Sequence, residues 1–297
     1  MHRTFLRKPN IRKIPSILIP PLETIKLSDR DNLYLLNYPN TDILKLELSF
    51  KAGRPFEQKS LAARLSTRML REGSASFNSK SLEQKLDSWG ATLSLPNTLD
   101  TIDILLYINK RQLQNALRLL ADIIKNPLLE EKSFEQIRDI TIQKLGVELT
   151  KPEVVSYRSL TEELFGPSHP YGFNSSKELL LDLRLQDIAA HQQLMCRSSL
   201  TIFLTGSIEK THIDLVKEIY TEISVSHEIL KPKIPPLPQP NKLLINVKMP
   251  ATPASNSLYF GKTIGNRKTA HFNDLYILNT ILGGYFGSRL VTNIREG

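Results

Sequence analysis

The 297-residue chain has a single cysteine, Cys196, so no disulfide can form within it. This excludes the class of small secreted proteins that depend on disulfides. No stretch approaches the roughly 18 consecutive apolar residues that a membrane-spanning helix needs. Residues 1–22 are basic, but they contain four prolines and no unbroken apolar core, unlike a secretory signal. We expect a cytoplasmic protein with no membrane partner; a mitochondrial or periplasmic location is the less favoured alternative.

Closely spaced metal ligands are also missing. No two histidines lie four residues apart, as paired ligands on a helix would. The net charge of +9 suggests a nucleic-acid partner at first sight. However, residues 1–30 hold seven Lys or Arg against two acids, while the rest of the chain is nearly balanced. A body that is close to neutral has no obvious surface for tracking phosphates, so we expect no nucleic-acid partner.

Segments of alternating apolar and polar residues interleave with segments of helical periodicity. Residues 43–50 (ILKLELSF) alternate at period two, which is typical of a half-buried strand. Residues 111–125 place leucines and an isoleucine on one stripe, which predicts an amphipathic helix. The order of such segments predicts an α+β fold: a two-layer lobe in which helices pack on a mixed, largely antiparallel sheet.

The proline pattern predicts the domain organisation. Residues 227–241 contain five prolines and no helical period, so we expect an extended linker. A basic lead (residues 1–22) and a first lobe (residues 23–226) precede this linker. Beyond it, a strand-like segment at 255–261 and a helix at 271–282 repeat the order seen in the first lobe. Residues 242–297 are therefore predicted to start a second, similar lobe, and we expect the chain to be a fragment.

Residues 60–74 (SLAARLSTRMLREGS) carry the most specific pattern. They resemble the signature helix of the insulinase (pitrilysin-like, M16) metallopeptidases. This resemblance implies a fold of the LuxS/MPP-like metallohydrolase type. In that family the motif H-x-x-E-H supplies two zinc ligands and a general base. When the small, apolar and glycine positions are matched, the two histidines fall on Arg64 and Arg68 and the glutamate on Thr67. A third ligand on a later helix falls on Lys144.

The resemblance therefore implies a degenerate zinc site with no metal or other cofactor in this chain. Three cationic side chains would replace the ligands, and none of them can coordinate zinc. Whether Arg64, Arg68 and Lys144 bind an anion or only line a solvated cleft stays open.

Residues 281–296 (ILGGYFGSRLVTNIRE) resemble a second family segment, in which an arginine contacts the substrate. Arg295 occupies the matching position, although Arg289 and Arg295 could also be plain surface residues.

The family includes pairs in which one subunit keeps the zinc and the other keeps the arginine. The resemblance thus implies an inactive subunit of a heterodimer with an active zinc-bearing homologue, acting on a peptide substrate. A non-enzymatic peptide-binding or assembly module, or an active zinc peptidase with displaced ligands, are the alternatives.

Overall fold

The computed structural model describes residues 20–224, 230–238, 245–248 and 256–295. These residues form two compact units, and Val147–Asn174 joins the C-terminal residues from Pro235 onward in the second one. The remaining described residues form the first unit. Most of the basic lead and both ends of the predicted linker lie outside the described residues. The finer division into lead, lobe, linker and second lobe stays a prediction.

The first unit is organised around a six-stranded sheet. Its strands follow the order β1-β2-β8-β3-β7-β6, and a separate two-stranded ladder pairs β4 with β5. The described strands are β1 (Leu22–Lys26), β2 (Asn32–Asn37), β3 (Ile43–Phe50), β4 (Gly73–Ser74), β5 (Phe77–Asn78), β6 (Thr92–Ser94), β7 (Ile102–Asn109) and β8 (Leu200–Gly206). Only β2 and β8 run parallel; the other pairs of the six-stranded sheet are antiparallel. The predicted mixed, largely antiparallel sheet is thus confirmed.

The helices of the described residues are numbered in chain order. They are α1 (Ala62–Met69), α2 (Ser79–Ser88), α3 (Leu113–Lys125), α4 (Glu131–Glu148), α5 (Pro152–Phe165), α6 (Lys177–Leu181), α7 (Leu185–Arg197), α8 (Lys210–Ile223), α9 (Phe272–Gly283) and α10 (Arg289–Arg295). Within the first unit α1 packs on α7 and α3 packs on α8. Each helix among the described residues is too short or too polar to span a lipid bilayer.

The core of the first unit lies between the sheet and its helices. Along β3 the side chains of Leu44, Leu46, Leu48 and Phe50 are buried, whereas the intervening residues are partly solvated. The apolar stripe of α3 belongs to the same buried cluster. The apolar face of the strand repeats every two residues and that of the helix every 3.6 residues. Both faces pack into the same core, as expected for amphipathic elements.

The second unit corrects one expectation. Residues 256–261, predicted as a strand, form no ladder with any described residue. Instead, this segment lies against α5: the Ser156 hydroxyl donates to the Ser257 carbonyl at 3.3 Å, and Tyr157 meets Tyr259 edge-on. A strand exists only if a neighbouring strand satisfies its backbone groups, which the sequence pattern of one segment does not specify.

Candidate functional site

A partly buried carboxylate binds the backbone at the start of α1. Glu57 accepts hydrogen bonds from the backbone amides of Leu61 (3.0 Å) and Ala63 (2.9 Å), which are otherwise unpaired at a helix N-terminus. Leu61 itself takes a left-handed conformation, with φ of 73°. The helix begins at Ala62. Burial raises the pKa of Glu57, although both amides favour its charged form.

Arg68 connects α1 to α4. Its Nη1 donates a hydrogen bond to the hydroxyl of Thr141, which in turn donates to the carbonyl of Ile137 at 2.6 Å. Thr141 is almost fully buried. Burial, followed by repulsion from the like charge of Arg64 one turn away, lowers the pKa of Arg68.

The structure places Thr141, and not Lys144, against Arg68. Lys144 is exposed on α4, while Phe134, Thr141 and Leu145 are buried on the same helix. The resemblance matches the third zinc ligand to position 144 by counting residues onward from the motif. Such a count ignores which face of α4 points inward. The stripe formed by 134, 141 and 145 follows helical periodicity and is the signal that could have identified Thr141.

The α1 residues at the candidate zinc positions do not fit a zinc ion. Guanidinium groups carry no lone pair for a metal. Thr67 has no carboxylate for acid–base chemistry. Its hydroxyl is buried and donates to the carbonyl of Ala63 at 2.8 Å. Across the described ranges, no three His, Cys, Asp or Glu side chains form a group able to hold a metal ion.

A small pocket opens beside Arg64. Its lining includes Arg54, Arg64, Thr67, Asn97, Thr98 and Thr101, and we call it the Arg64 pocket. The Nε atom of Arg64 is shielded from solvent and has no hydrogen-bond partner among the described residues. Sequence reasoning did not find this pocket, because its wall combines α1 with the 96–101 loop, and nothing local in the sequence joins them.

Arg295, the predicted substrate-binding residue, is the last residue of α10 in the second unit. It therefore lies at the C-terminal end of a helix. Its role in substrate binding stays a prediction.

Comparison with known proteins identifies the family. The family model described as Insulinase (Peptidase family M16) matches residues 33–167. The model described as Peptidase M16 inactive domain matches residues 188–297. The α+β fold is that of M16 peptidase structures, and α1 with its neighbour α4 falls within the first matched range. The two matches together account for most of the sequence, and the chain belongs to the M16 peptidase family.

Solved structures support the same fold. A peptidase M16 inactive domain from Pseudomonas fluorescens has a TM-score of 0.72 and 19% identity, and the matched region covers 93% of this chain and 68% of that one. A conserved protein from Enterococcus faecalis V583 has a TM-score of 0.66 and 16% identity, with coverage of 93% and 69%. A protease from Helicobacter pylori has a TM-score of 0.61 and 14% identity, with coverage of 74% and 53%. At such identities the likeness shows the fold alone. No protein with a curated description matches by sequence.

Proposed function

We propose that this chain is a non-catalytic M16 subunit that pairs with a zinc-bearing M16 homologue and contributes Arg295 to the shared substrate site. One observation carries the proposal: Arg64, Thr67 and Arg68 occupy the helix on which the family's zinc motif is expected. Arg68 is bonded to Thr141, and Thr67 to its own helix. Thr67 and Arg68 are thus committed to structural contacts, and the guanidinium of Arg64 has no lone pair to offer a metal.

Arginine suits the role that we assign to position 295. Its planar guanidinium can donate two parallel hydrogen bonds to a carbonyl or carboxylate while it keeps its charge. Such a contact can orient a peptide for cleavage without any metal in the same subunit. The zinc, the general base and the activated water would all come from the partner, so this chain alone should not hydrolyse peptides.

The test is co-expression with a homologue that contains H-x-x-E-H, followed by isolation of the complex and peptidase assays. We expect activity from the pair and none from this chain alone. The variant R295A should lower kcat/KM of the pair about tenfold to a hundredfold, since it removes a charge-assisted contact. The control R289A changes an exposed arginine at the other end of α10 and should leave the rate unchanged. Equal rates for R295A and the wild-type pair would refute the assigned role, and failure to form a complex would refute the pairing.

A non-enzymatic peptide-binding module is the second candidate. It is favoured by β6, which lies at the edge of the sheet and pairs only with β7 among the described strands. An open edge can accept an extended peptide through backbone hydrogen bonds. Peptide binding by the isolated chain, together with no complex with an active homologue, would favour this function over the pairing.

A further inference from the structure

The first unit has a second, larger cavity, which shares no lining residue with the Arg64 pocket. Its volume is about 430 Å³, within the range of roughly 300–1,000 Å³ that is typical of small-molecule sites. We call it the Phe56 cavity, and its lining residues are Phe56, Gln58, Leu194, Leu230, Lys231 and Lys233. We infer that the Phe56 cavity binds a small amphipathic anion: a carboxylate attached to an apolar chain or ring. This binding would not depend on a partner subunit.

Three apolar side chains form one side of the cavity. Phe56, Leu194 and Leu230 are each partly buried and line the same space. Leu194 belongs to α7 and packs against the hydrophobic core of the first unit. An apolar ligand body in this position would remove the remaining exposed surface of these side chains from water, which favours binding.

The wall formed by residues 230–233 is held on the lobe by two hydrogen bonds. The backbone N–H of Lys233 donates to the carbonyl of Pro55 at 2.6 Å, and its Nζ donates to the carbonyl of Glu57 at 3.3 Å. Residues 230–233 belong to the same compact unit as α1 and α7. The cavity therefore exists before a ligand arrives, and binding does not bear the full entropic cost of ordering this segment.

The rim of the cavity is positively charged. Lys231 and Lys233 are both exposed, and the described residues that line the cavity include no Asp or Glu. The hydrogen bond of the Lys233 ammonium to Glu57 is to a neutral backbone carbonyl. Because an ammonium has more than one N–H group, Lys233 keeps donors for a ligand. An anionic head group would therefore meet two cations beside the apolar side chains.

The acid between two of the lining residues is engaged elsewhere. The carboxylate of Glu57 accepts hydrogen bonds from the backbone amides of Leu61 and Ala63. The positive charge of Arg54 also acts on it and lowers its pKa, against the larger effect of burial. The negative charge of Glu57 is thus matched at the start of α1 and is not available to pair with Lys231 or Lys233.

The donors of the cavity favour a carboxylate over a phosphate. Phosphate sites commonly use arginine forks or the free amides of a helix N-terminus. Among the described residues, no arginine lines the Phe56 cavity, and Glu57 occupies two amides at the start of α1. The side-chain amide of Gln58 can donate to one carboxylate oxygen, while the two ammonium groups supply the charge.

The experiment measures dissociation constants of four probes on the purified chain by ligand-observed NMR: octanoate, octanamide, acetate and octyl phosphate. We expect octanoate to bind at least about tenfold more tightly than octanamide, which has the same apolar chain but no charge. Octanoate should also bind at least about tenfold more tightly than acetate, which has the charge but almost no apolar body.

The double variant K231Q/K233Q should lose the preference for octanoate over octanamide and keep the affinity for octanamide. Retained octanamide binding shows that the variant is folded and that its cavity is intact. The matched control is K132Q/K210Q, which removes two exposed lysines from α4 and α8. It changes the net charge equally and should keep the preference.

Several outcomes would overturn the inference. No measurable binding of octanoate, or equal affinities for octanoate and octanamide, would show that the cavity does not recognise an anion. Acetate binding as tightly as octanoate would show that the apolar side chains contribute nothing. An unchanged preference in K231Q/K233Q would place the site elsewhere. Tighter binding of octyl phosphate than of octanoate would show that the carboxylate assignment is wrong.

Discussion

Arg68 on α1 and Thr141 on α4 share a hydrogen bond, in which the guanidinium donates to the threonine hydroxyl. The two residues are 73 positions apart in the sequence. Arg68 stands where the family's second zinc-binding histidine would be expected, and Thr141 stands near the expected third ligand. A polar contact between two side chains thus joins the helices that a metal ion would otherwise connect.

We expect this contact to stabilise the first unit. The variant T141V keeps the shape of the side chain but leaves a partly buried guanidinium without its acceptor, which should cost about 1–3 kcal/mol of unfolding free energy in urea. A double-mutant cycle with R68Q should give a coupling energy of roughly 1 kcal/mol.

The matched control is T221V on α8. Thr221 also has a hydroxyl within hydrogen-bond distance of the carbonyl four residues earlier, at 3.3 Å, but it is exposed. Its loss should change the unfolding free energy by less than about 0.5 kcal/mol. Equal losses for T141V and T221V would mean that the contact with Arg68 contributes nothing.

The sequence predicts local elements well because their signals are local. The alternation in residues 43–50 predicts β3 with its observed bounds, and the apolar stripe in residues 111–125 predicts α3, which spans Leu113–Lys125. Arg64, Thr67 and Arg68 are likewise found together on α1. These successes share one cause: each depends only on residues within a few turns or one strand.

The features that the sequence did not predict depend on contacts between distant segments. Thr141 was missed because a residue count does not identify the inward face of α4. The Arg64 pocket was missed because its wall includes the 96–101 loop. Residues 256–261 have the composition of a strand but lie against α5, since no described strand pairs with them. Tertiary context decides each of these cases.

Zinc ligands introduced by substitution should reveal which residue of α4 faces the site. The wild-type chain should retain no stoichiometric zinc after dialysis, because its candidate positions lack donor atoms. In the background R64H/T67E/R68H, adding T141E should give tighter zinc binding than adding K144E, since Thr141 is buried against α1 and Lys144 is exposed.

Zinc content by mass spectrometry and competition with a chelator would measure this difference. The matched comparison is between the two quadruple variants, which have identical composition of ligand types. Tighter binding with K144E would show that residue counting located the third position correctly and that the contact of Thr141 is incidental. Stoichiometric zinc in the wild-type chain would contradict the non-catalytic proposal itself.

His191 should make stability depend on pH. Its Nε2 donates to the Ala52 carbonyl at 2.7 Å, and its buried Nδ1 has no partner in the described part of the chain. Burial lowers the pKa of His191 below its usual 6.5, an effect that the bond to Ala52 only partly opposes. Below pH 6.5 the unfolded chain therefore binds the proton more readily, and the stability that His191 contributes at neutral pH is lost as the pH falls.

We expect the variant H191Q, which keeps a donor for Ala52, to lose less unfolding free energy than wild type between about pH 7.5 and about pH 5. H271Q provides the control, because His271 is mostly exposed, with 81% of its side-chain surface accessible. Urea unfolding at several pH values measures the difference. A pH dependence that is identical in H191Q and wild type would show that His191 does not titrate differently in the two states.

Gly73, the first residue of β4, should tolerate no side chain. Its φ is +113°, and a Cβ placed there would lie 2.2 Å from the Phe77 carbonyl oxygen. Gly90 also has a positive φ, +59°, but a Cβ there would meet nothing within 4 Å. G90A should therefore cost about 1–2 kcal/mol, from the left-handed conformation alone. G73A should cost more than about 3 kcal/mol, since the clash adds to a backbone conformation that is almost restricted to glycine.

Thermal and urea unfolding of both variants would measure the two costs. Similar losses in the two would mean that the β4–β5 turn can move away from the new methyl group, and that Gly73 is needed only for its backbone freedom.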